Sequence, residues 1–158
     1  MEIRKYCHGE ESQLMDIFVS SIRKNAKSFY SEIQLESWAP DNMNSEKWKE
    51  KIQRINPYVI VDKDMILGYA DLQDNGYIDH FFIRGGYSGR GIGKLLMSHI
   101  IEEAKRKKIL ELTSDVSLAA QAFFEKFGFN IVKRKSVQIR GIELENALMS
   151  KKMTEECI

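Results

Sequence analysis

The chain has 158 residues, 43% of them hydrophobic and 30% charged, with a formal net charge of +1, which is typical of one globular domain spanning residues 1–158. The near-neutral charge argues against a nucleic-acid or membrane partner, and no apolar run reaches the ~20 residues of a membrane span. Three histidines, two cysteines (Cys7 and Cys157) and an N-terminus without an apolar stretch predict a cytoplasmic protein with no metal site.

The first part of the chain predicts one strand and three helices. Residues 2–7 alternate as a strand does, and residues 11–29 place apolar side chains at every fourth position, as an amphipathic helix does. Two short helices follow. They are separated at Pro40, and the second begins near Asn44 or Ser45.

The rest of the chain predicts a mixture of strands and helices. Residues 57–83 contain three β-rich runs separated by the hairpin turns DKD and DNG. A glycine-rich turn leads into a helix over about residues 91–108, then a short strand at 109–113 and a helix capped by Ser117. Two long antiparallel strands that turn near Arg140 come last. This order predicts a mixed α/β domain.

The glycine-rich turn, residues 86–96 with the sequence GYSGRGIGKLL, has four glycines in eight positions directly before a helix. A helix N-terminus has unpaired amides and partial positive charge, and glycines let a ligand approach those amides. The pattern therefore predicts an anion site, although a plain turn is the alternative. A P-loop is excluded because positions 88 and 95 are serine and leucine. A dinucleotide fingerprint is excluded because Leu96 or Lys94 occupies its last glycine position.

Two segments resemble the GNAT (Gcn5-related N-acetyltransferase) superfamily. Residues 88–93, SGRGIG, resemble its acetyl-CoA pyrophosphate loop, Gln/Arg-x-x-Gly-x-Gly/Ala, with serine at the first position. Residues 117–129, SLAAQAFFEKFGF, resemble its other coenzyme A-contacting segment, Asn-x-x-Ala-x-x-Leu-Tyr-Glu-Lys-x-Gly-Phe. Residues 29–40 and 137–151 are further similar to a subgroup of small bacterial acetyltransferases, the YafP-type proteins.

The resemblance implies a mixed, mostly antiparallel sheet of about seven strands, with a V-shaped opening between strands 4 and 5 and four or five flanking helices. It implies acetyl-CoA as the cofactor, with pantetheine and thioester on the backbone of Phe81 and Ile83 and the pyrophosphate on the amides of residues 89–94. The oxyanion donor would be the amide of Ile83 or Phe82. The implied cofactor residues are Phe81, Phe82, Ile83, Ser88, Gly89, Arg90, Gly91, Ile92, Gly93, Lys94, Ser117, Ala120, Phe123, Phe124 and Lys126.

Acetyl transfer to an amine also needs a base and a proton for the departing thiolate. Asp79, with apolar neighbours on a central strand, is the candidate base because burial would raise its pKa; a structural anchor is its alternative role. Tyr77 is a candidate for orienting the substrate or relaying a proton. Many family members carry a tyrosine at the position of Phe124, so here the proton would come from water or from a hydroxyl such as that of Ser117 or Tyr87, unless the thiolate leaves unaided.

The remaining candidates lie on the acceptor side. Tyr30 and Trp38, beside the proline break, are predicted to contact the acceptor together with Asp79. Trp48 lies at helical spacing with apolar residues and is predicted to pack in the core. His80 points to the opposite strand face from Asp79 by alternation and is predicted to pack as well.

The sequence therefore predicts an acetyl-CoA-dependent N-acetyltransferase that acts on a primary amine of a small molecule or peptide by direct attack in a ternary complex. A non-catalytic acyl-CoA-binding sensor is the alternative. A monomer and a homodimer are equally compatible with the sequence.

Overall fold

A computed structural model describes residues 1–153, so Cys157 lies outside the described residues. The elements in chain order are β1 (Glu2–Lys5), α1 (Glu11–Ser20), a π-helical turn (Ser21–Asn25), α2 (Glu32–Trp38), α3 (Ser45–Ile55), β2 (Tyr58–Asp62), β3 (Met65–Ala70), β4 (Tyr77–Ile78), β5 (Phe81–Ile83), α4 (Ile92–Arg106), β6 (Glu111–Ser117), α5 (Gln121–Lys126), β7 (Asn130–Ile139) and β8 (Ile142–Lys152). They confirm the predicted mixed α/β class. Within residues 1–153, no helix is both long enough and apolar enough to cross a membrane.

The strands form two four-stranded sheets that separate within residues 77–83. The first sheet has the order β1-β2-β3-β5 and the second has the order β4-β6-β8-β7. β4 pairs in parallel with β6, whereas β5 pairs antiparallel with β3. The strand predicted over residues 77–83 is thus divided at Asp79 and His80, which accounts for eight strands where about seven were predicted. The predicted V-shaped opening lies where β5 diverges from β6.

The buried carboxylate of Asp71, directly after β3, holds this break. Its Oδ1 accepts hydrogen bonds from the main-chain N–H groups of Asp79 and His80, both at 2.8 Å. Its Oδ2 accepts from Gln73 Nε2 at 3.1 Å. Burial raises the pKa of Asp71, and the hydrogen bonds from the main chain oppose that effect. The carboxylate thus supplies the acceptors that a continuous ladder would have supplied at this point.

Helices cover both faces of the first sheet. Helix α4 packs on one face through apolar residues at every fourth position, among them Ile92, Leu96 and Ile100, which are buried. Helices α1 and α3 pack on the other face, where Phe18 and Trp48 are buried. The prediction that Trp48 packs in the core is confirmed.

The prediction is wrong at the end of β6. This strand extends to Ser117 rather than ending near residue 113, because it pairs with β8 over its whole length and alternates buried and half-buried side chains. Ser117 therefore ends a strand instead of capping a helix. Helix α5 begins at Gln121. Its N-cap residue is Ala120, whose methyl side chain cannot cap the helix.

Asp71→Ala is expected to lower the free energy of unfolding by about 2–4 kcal/mol, because it removes the acceptor of two N–H groups at the break. Asp71→Asn keeps an oxygen at that place and is expected to cost less than about 1.5 kcal/mol. Urea unfolding of both variants, followed by circular dichroism at neutral pH, measures the difference. Equal losses would mean that these hydrogen bonds do not hold the break.

Candidate active site

A cavity of about 620 Å³ opens where β5 and β6 diverge. Its walls are β5, the glycine turn with the start of α4, the end of β6 with α5, and the π-helical turn. The predicted cofactor residues that line it are Phe81, Phe82, Ile83, Ser88, Gly89, Gly91, Gly93, Lys94, Ser117, Ala120, Phe123 and Lys126. The structure thus brings both segments that resemble the superfamily to one cavity.

Three predicted cofactor residues do not line this cavity. The guanidinium of Arg90 lies 4.9 Å from the centre of the Tyr87 ring. Ile92, the first residue of α4, is buried in the core. Phe124 is 2% exposed, and its ring centre lies 4.9 Å from that of Phe129 in the core. Phe123 contributes the lining ring of this helix. Phe124, at the position where many family members carry a tyrosine, therefore packs in the core.

The amides of the glycine turn are left without acceptors. Within residues 1–153, no carbonyl or side-chain oxygen accepts a hydrogen bond from the amides of residues 88–94, and the first bond of α4 runs from Leu95 N–H to Gly91 C=O at 3.2 Å. Gly89 and Gly91 have φ values of +79° and +80°, and a Cβ on either would meet no atom within 4 Å. The turn thus exposes several N–H groups at a helix N-terminus, beside the ammonium-bearing side chain of Lys94, as an anion site requires.

The π-helical turn forms a wall that sequence reasoning missed. Gly85 N–H donates to Ser20 Oγ at 2.9 Å, and a Cβ on Gly85 would lie 2.3 Å from the carbonyl oxygen of Ser20. Asn25 Nδ2 donates to Ile83 C=O at 3.1 Å. These contacts join the end of α1 and the π-helical turn to the last residue of β5 and to the second residue after it. The helical periodicity of residues 11–29 continues through the turn, so the sequence carries no signal for it.

The main-chain groups of β5 divide between its two edges. The residues on either side of β5 bond to β3 or to the residue directly after it. His80 C=O accepts from Asp71 N–H at 3.2 Å, and Arg84 N–H donates to Leu67 C=O at 2.7 Å. In an antiparallel pair of strands, opposed residues alternate between hydrogen-bonded and non-hydrogen-bonded pairs. Phe82 therefore also bonds to β3, whereas the main-chain N–H and C=O groups of Phe81 and Ile83 point away from β3, toward the cavity. Of the two predicted oxyanion donors, the amide of Ile83 therefore faces the cavity and that of Phe82 does not.

A second cavity of about 230 Å³ adjoins the first. Three residues, Trp38, Phe82 and Ser117, line both cavities and mark their junction. The second cavity also contains the remaining predicted catalytic and acceptor residues, namely Tyr30, Tyr77 and Asp79, together with the unpredicted Asp115, Glu145 and Asn146.

Asp79 lies in an ion pair rather than among apolar groups as predicted. Its carboxylate accepts from Lys51 Nζ of helix α3, and its side chain is 23% exposed. Tyr77 Oη donates to Asp115 Oδ2 at 2.7 Å, and burial together with this carboxylate raises the pKa of Tyr77. Asp79, Asp115 and Tyr77 thus bring two carboxylates and a phenol to the second cavity.

Tyr30 contributes its ring to this cavity, while its hydroxyl is used within the chain. Tyr30 Oη donates to Glu145 C=O at 2.6 Å and accepts from Leu118 N–H at 2.9 Å. Burial raises its pKa. Tyr30 is 8% exposed, and its hydroxyl holds the segment before α2 against β8.

His80 is buried between aromatic rings, as predicted. Its Nδ1 lies 2.9 Å from Tyr69 Oη, and its ring stacks on Phe18. Burial lowers the pKa of His80 to about 4, so the ring is neutral at physiological pH. Tyr69 is fully buried, and within residues 1–153 Nδ1 is the acceptor within reach of its hydroxyl. Nδ1 therefore accepts, and the ring proton is on Nε2.

The family model described as "Acetyltransferase (GNAT) domain" matches residues 26–147, well over half of the chain. The chain belongs to this family. Membership confirms the predicted GNAT fold, the enzyme class, an N-acetyltransferase, and the cofactor of the family, acetyl-CoA.

Relatives extend the match to nearly the whole GNAT chain. It is 32% identical over 149 residues to the uncharacterized N-acetyltransferase YafP of Escherichia coli K12, covering 94% of each chain. A GCN5-related N-acetyltransferase from Rhodopseudomonas palustris superposes with a TM-score of 0.90 at 29% identity, over 96% of this chain and 94% of that one. PaiA N-acetyltransferase from Thermoplasma acidophilum, solved in complex with coenzyme A, has a TM-score of 0.74 at 21% identity, over 96% and 98%.

Gly91→Glu is expected to weaken coenzyme A binding at least about 100-fold, because it places bulk and negative charge against the pyrophosphate. Gly141→Glu is the matched control, since Gly141 also has a φ of +80° and no atom within 4 Å of a Cβ, but lies in the β7–β8 turn. Calorimetric titration with coenzyme A measures both affinities. Similar affinities for the two folded variants would refute the anion site.

His80 is expected to make stability depend on pH between about 6.5 and 4. Its folded pKa lies below its ordinary value, so the unfolded chain takes up the proton first and stability falls as pH decreases through this window. Between pH 7 and pH 4.5 the protein should lose about 2–3 kcal/mol more than His80→Gln does. Urea unfolding at several pH values measures this, and parallel curves for the two proteins would contradict it.

Proposed function

We propose that this GNAT protein transfers the acetyl group of acetyl-CoA to a primary amine of a small molecule or peptide by direct attack in a ternary complex. One observation carries the proposal. A cavity with uncovered amides and a cavity with carboxylates meet at Trp38, Phe82 and Ser117. The first suits a diphosphate and the second suits an ammonium, so the thioester and the amine would meet at the junction.

In this proposal the cofactor lies along the first cavity. The amides of residues 88–94 and the ammonium of Lys94 bind the pyrophosphate. The pantetheine arm passes between β5 and α5, where the main-chain groups of Phe81 and Ile83 face it and Phe123 provides an apolar wall. The Ile83 amide then donates to the oxyanion that forms when the amine attacks.

The acceptor amine enters through the second cavity. Asp79 accepts the proton that the amine loses, and Lys51 fixes the orientation of its carboxylate. The Tyr77 hydroxyl donates to Asp115, so its remaining lone pair can accept an N–H of the amine and orient it.

The bond changes of the proposed reaction balance without a further reactant. The amine nitrogen forms a bond to the acetyl carbon, the C–S bond breaks, and the proton of the amine goes to Asp79. The thiolate takes a proton from water, directly or through the Ser117 hydroxyl at the junction, which receives a proton from water as it gives its own. Phe124 has no proton to give and does not line the cavity.

Release of free thiol from acetyl-CoA in the presence of an amine panel tests the proposal. Thiol release that depends on the amine supports acetyl transfer. Coenzyme A binding without thiol release from any amine would instead favour the acyl-CoA sensor, which the absence of a hydroxyl at Phe124 makes the second candidate.

Asp79→Asn is expected to lower kcat by about 10²-fold or more and to leave coenzyme A affinity nearly unchanged, because it removes the base. Lys51→Met removes the same ion pair but keeps the carboxylate, so it should cost much less. The exposed Asp74→Asn, in the turn before β4, should change nothing. Steady-state thiol release with each variant measures this, and full turnover by Asp79→Asn would refute the assignment.

A further inference from the structure

Two carboxylates stand side by side at the floor of the second cavity. Tyr77 lies opposite Thr113 in the parallel pair of β4 and β6. Asp115 is the next residue on the same face of β6, and Asp79 directly follows the last residue of β4. Neighbouring strands are about 4.8 Å apart, so the two carboxylates occupy adjacent places where the strands begin to diverge. Both line the cavity.

Each of these carboxylates already contacts a primary alkylammonium supplied by the chain. Lys51 Nζ pairs with Asp79, and Lys135 Nζ lies 2.5 Å from Asp115 Oδ1. Neither lysine lines the cavity; in the described part of the chain its charged lining side chains are acidic, those of Asp79, Asp115 and Glu145. The cavity side of both carboxylates is therefore open to a cation of the same chemical type.

The contact between Lys135 and Asp115 lacks hydrogen-bond geometry. Asp115 Oδ1 is held by this ion pair, so among residues 1–153 the buried acceptor in this cavity that no donor reaches is Oδ1 of Asn146. Asn146 lies opposite Ser117 on β6 and opposite Lys135 on β7. A buried acceptor without a donor thus lines the same cavity as the Asp115 carboxylate. A buried acceptor without a donor is unfavourable, which points to a ligand that brings N–H groups.

The second cavity is small, and helix α2 is hydrogen-bonded over one of its walls. At about 30 Å³ for each water-sized group, 230 Å³ holds roughly eight non-hydrogen atoms. Its far wall is apolar, with Val137, Ile139 and Leu144. Helix α2 closes over that wall, where Ser37 Oγ donates to Ile139 C=O at 3.0 Å and Arg140 donates to the Ser37 C=O at 2.7 Å. A short alkyl chain that ends in an amine fits this space.

We infer that the acceptor is a short α,ω-diaminoalkane of about four or five carbons, whose far ammonium replaces Lys135 on Asp115 and donates to Asn146. Its near amine lies at Asp79 and attacks the thioester. This inference rests on the proposed acetyl transfer for the reaction itself, and it adds the class of amine and the subsite that selects it.

Thiol release with 1,4-diaminobutane, n-butylamine and a lysine-containing peptide, under identical conditions, tests the inference. The diamine is expected to have a kcat/KM at least about tenfold above that of n-butylamine, because only its second ammonium reaches Asp115. Asp115→Asn alters the partner of Tyr77 for every amine, but it should lower kcat/KM for the diamine at least about fivefold more than for n-butylamine, because only the diamine loses a charged partner there. Glu102→Gln, an acid-to-amide change on the far side of α4, is the matched control and should change neither.

Lys135→Met gives a second readout. Removal of the ammonium that competes for Asp115 should lower KM for the diamine and leave KM for n-butylamine unchanged. Equal kcat/KM for the two amines, preference for the peptide, or an equal loss for both amines in Asp115→Asn would overturn the inference while leaving acetyl transfer standing.

Failure of the proposed function has a different signature, which is the absence of thiol release with every amine. Direct binding then still tests the subsite, through the shift in Tm that each amine produces with coenzyme A present. A larger shift for 1,4-diaminobutane than for n-butylamine, lost in Asp115→Asn, supports the diamine subsite. Equal shifts overturn it.

Discussion

The two hydrogen bonds that Asp71 accepts from the main chain of Asp79 and His80 fix the point at which the sheets separate. A strand that kept the same two neighbours over residues 77–83 would have both edges paired and would leave no cavity between β5 and β6. Because the chain changes partners here, one edge of β5 stays open to a ligand. Burial of the Asp71 charge is unfavourable, as its raised pKa shows, and the two N–H donors offset that cost.

The same break decides which side chains face which cavity. Asp79, at the break, lines the second cavity, while Phe81 and Ile83, after it, line the first. His80 turns into the aromatic core, where its neutral ring accepts from Tyr69. One short run of chain thus carries surfaces for both reactants. Main-chain geometry, rather than the reach of long side chains, would set the distance between amine and thioester.

Local signals were enough to predict the glycine turn and the helix after it, because a glycine turn before a periodic helix depends on near neighbours in the sequence. The π-helical turn was not predictable, since only tertiary contacts such as that of Asn25 with Ile83 distinguish it from the helix before it. The environment of Asp79 was predicted from its neighbours along the strand. Its actual partner, Lys51, comes from a helix 28 residues earlier, and the carboxylate lies in an ion pair instead of an apolar site. Contacts of that kind have no local pattern.

Phe124 has no hydroxyl that could protonate the departing thiolate. The lack of this proton donor is a secondary loss, because its energetic cost is small compared with the total lowering of the barrier by an enzyme. A free thiol has a pKa of about 8.5, so at pH 7.5 release as the thiolate costs roughly 1.4 kcal/mol more than release as the thiol. Enzymes lower barriers by roughly 8–23 kcal/mol, largely through orientation and oxyanion stabilisation. In the proposed reaction, those contributions come from the cavity-facing amide of Ile83 and from the position of the amine beside Asp79. Phenylalanine at position 124 is therefore compatible with catalysis as long as Asp71 keeps the two sheets apart.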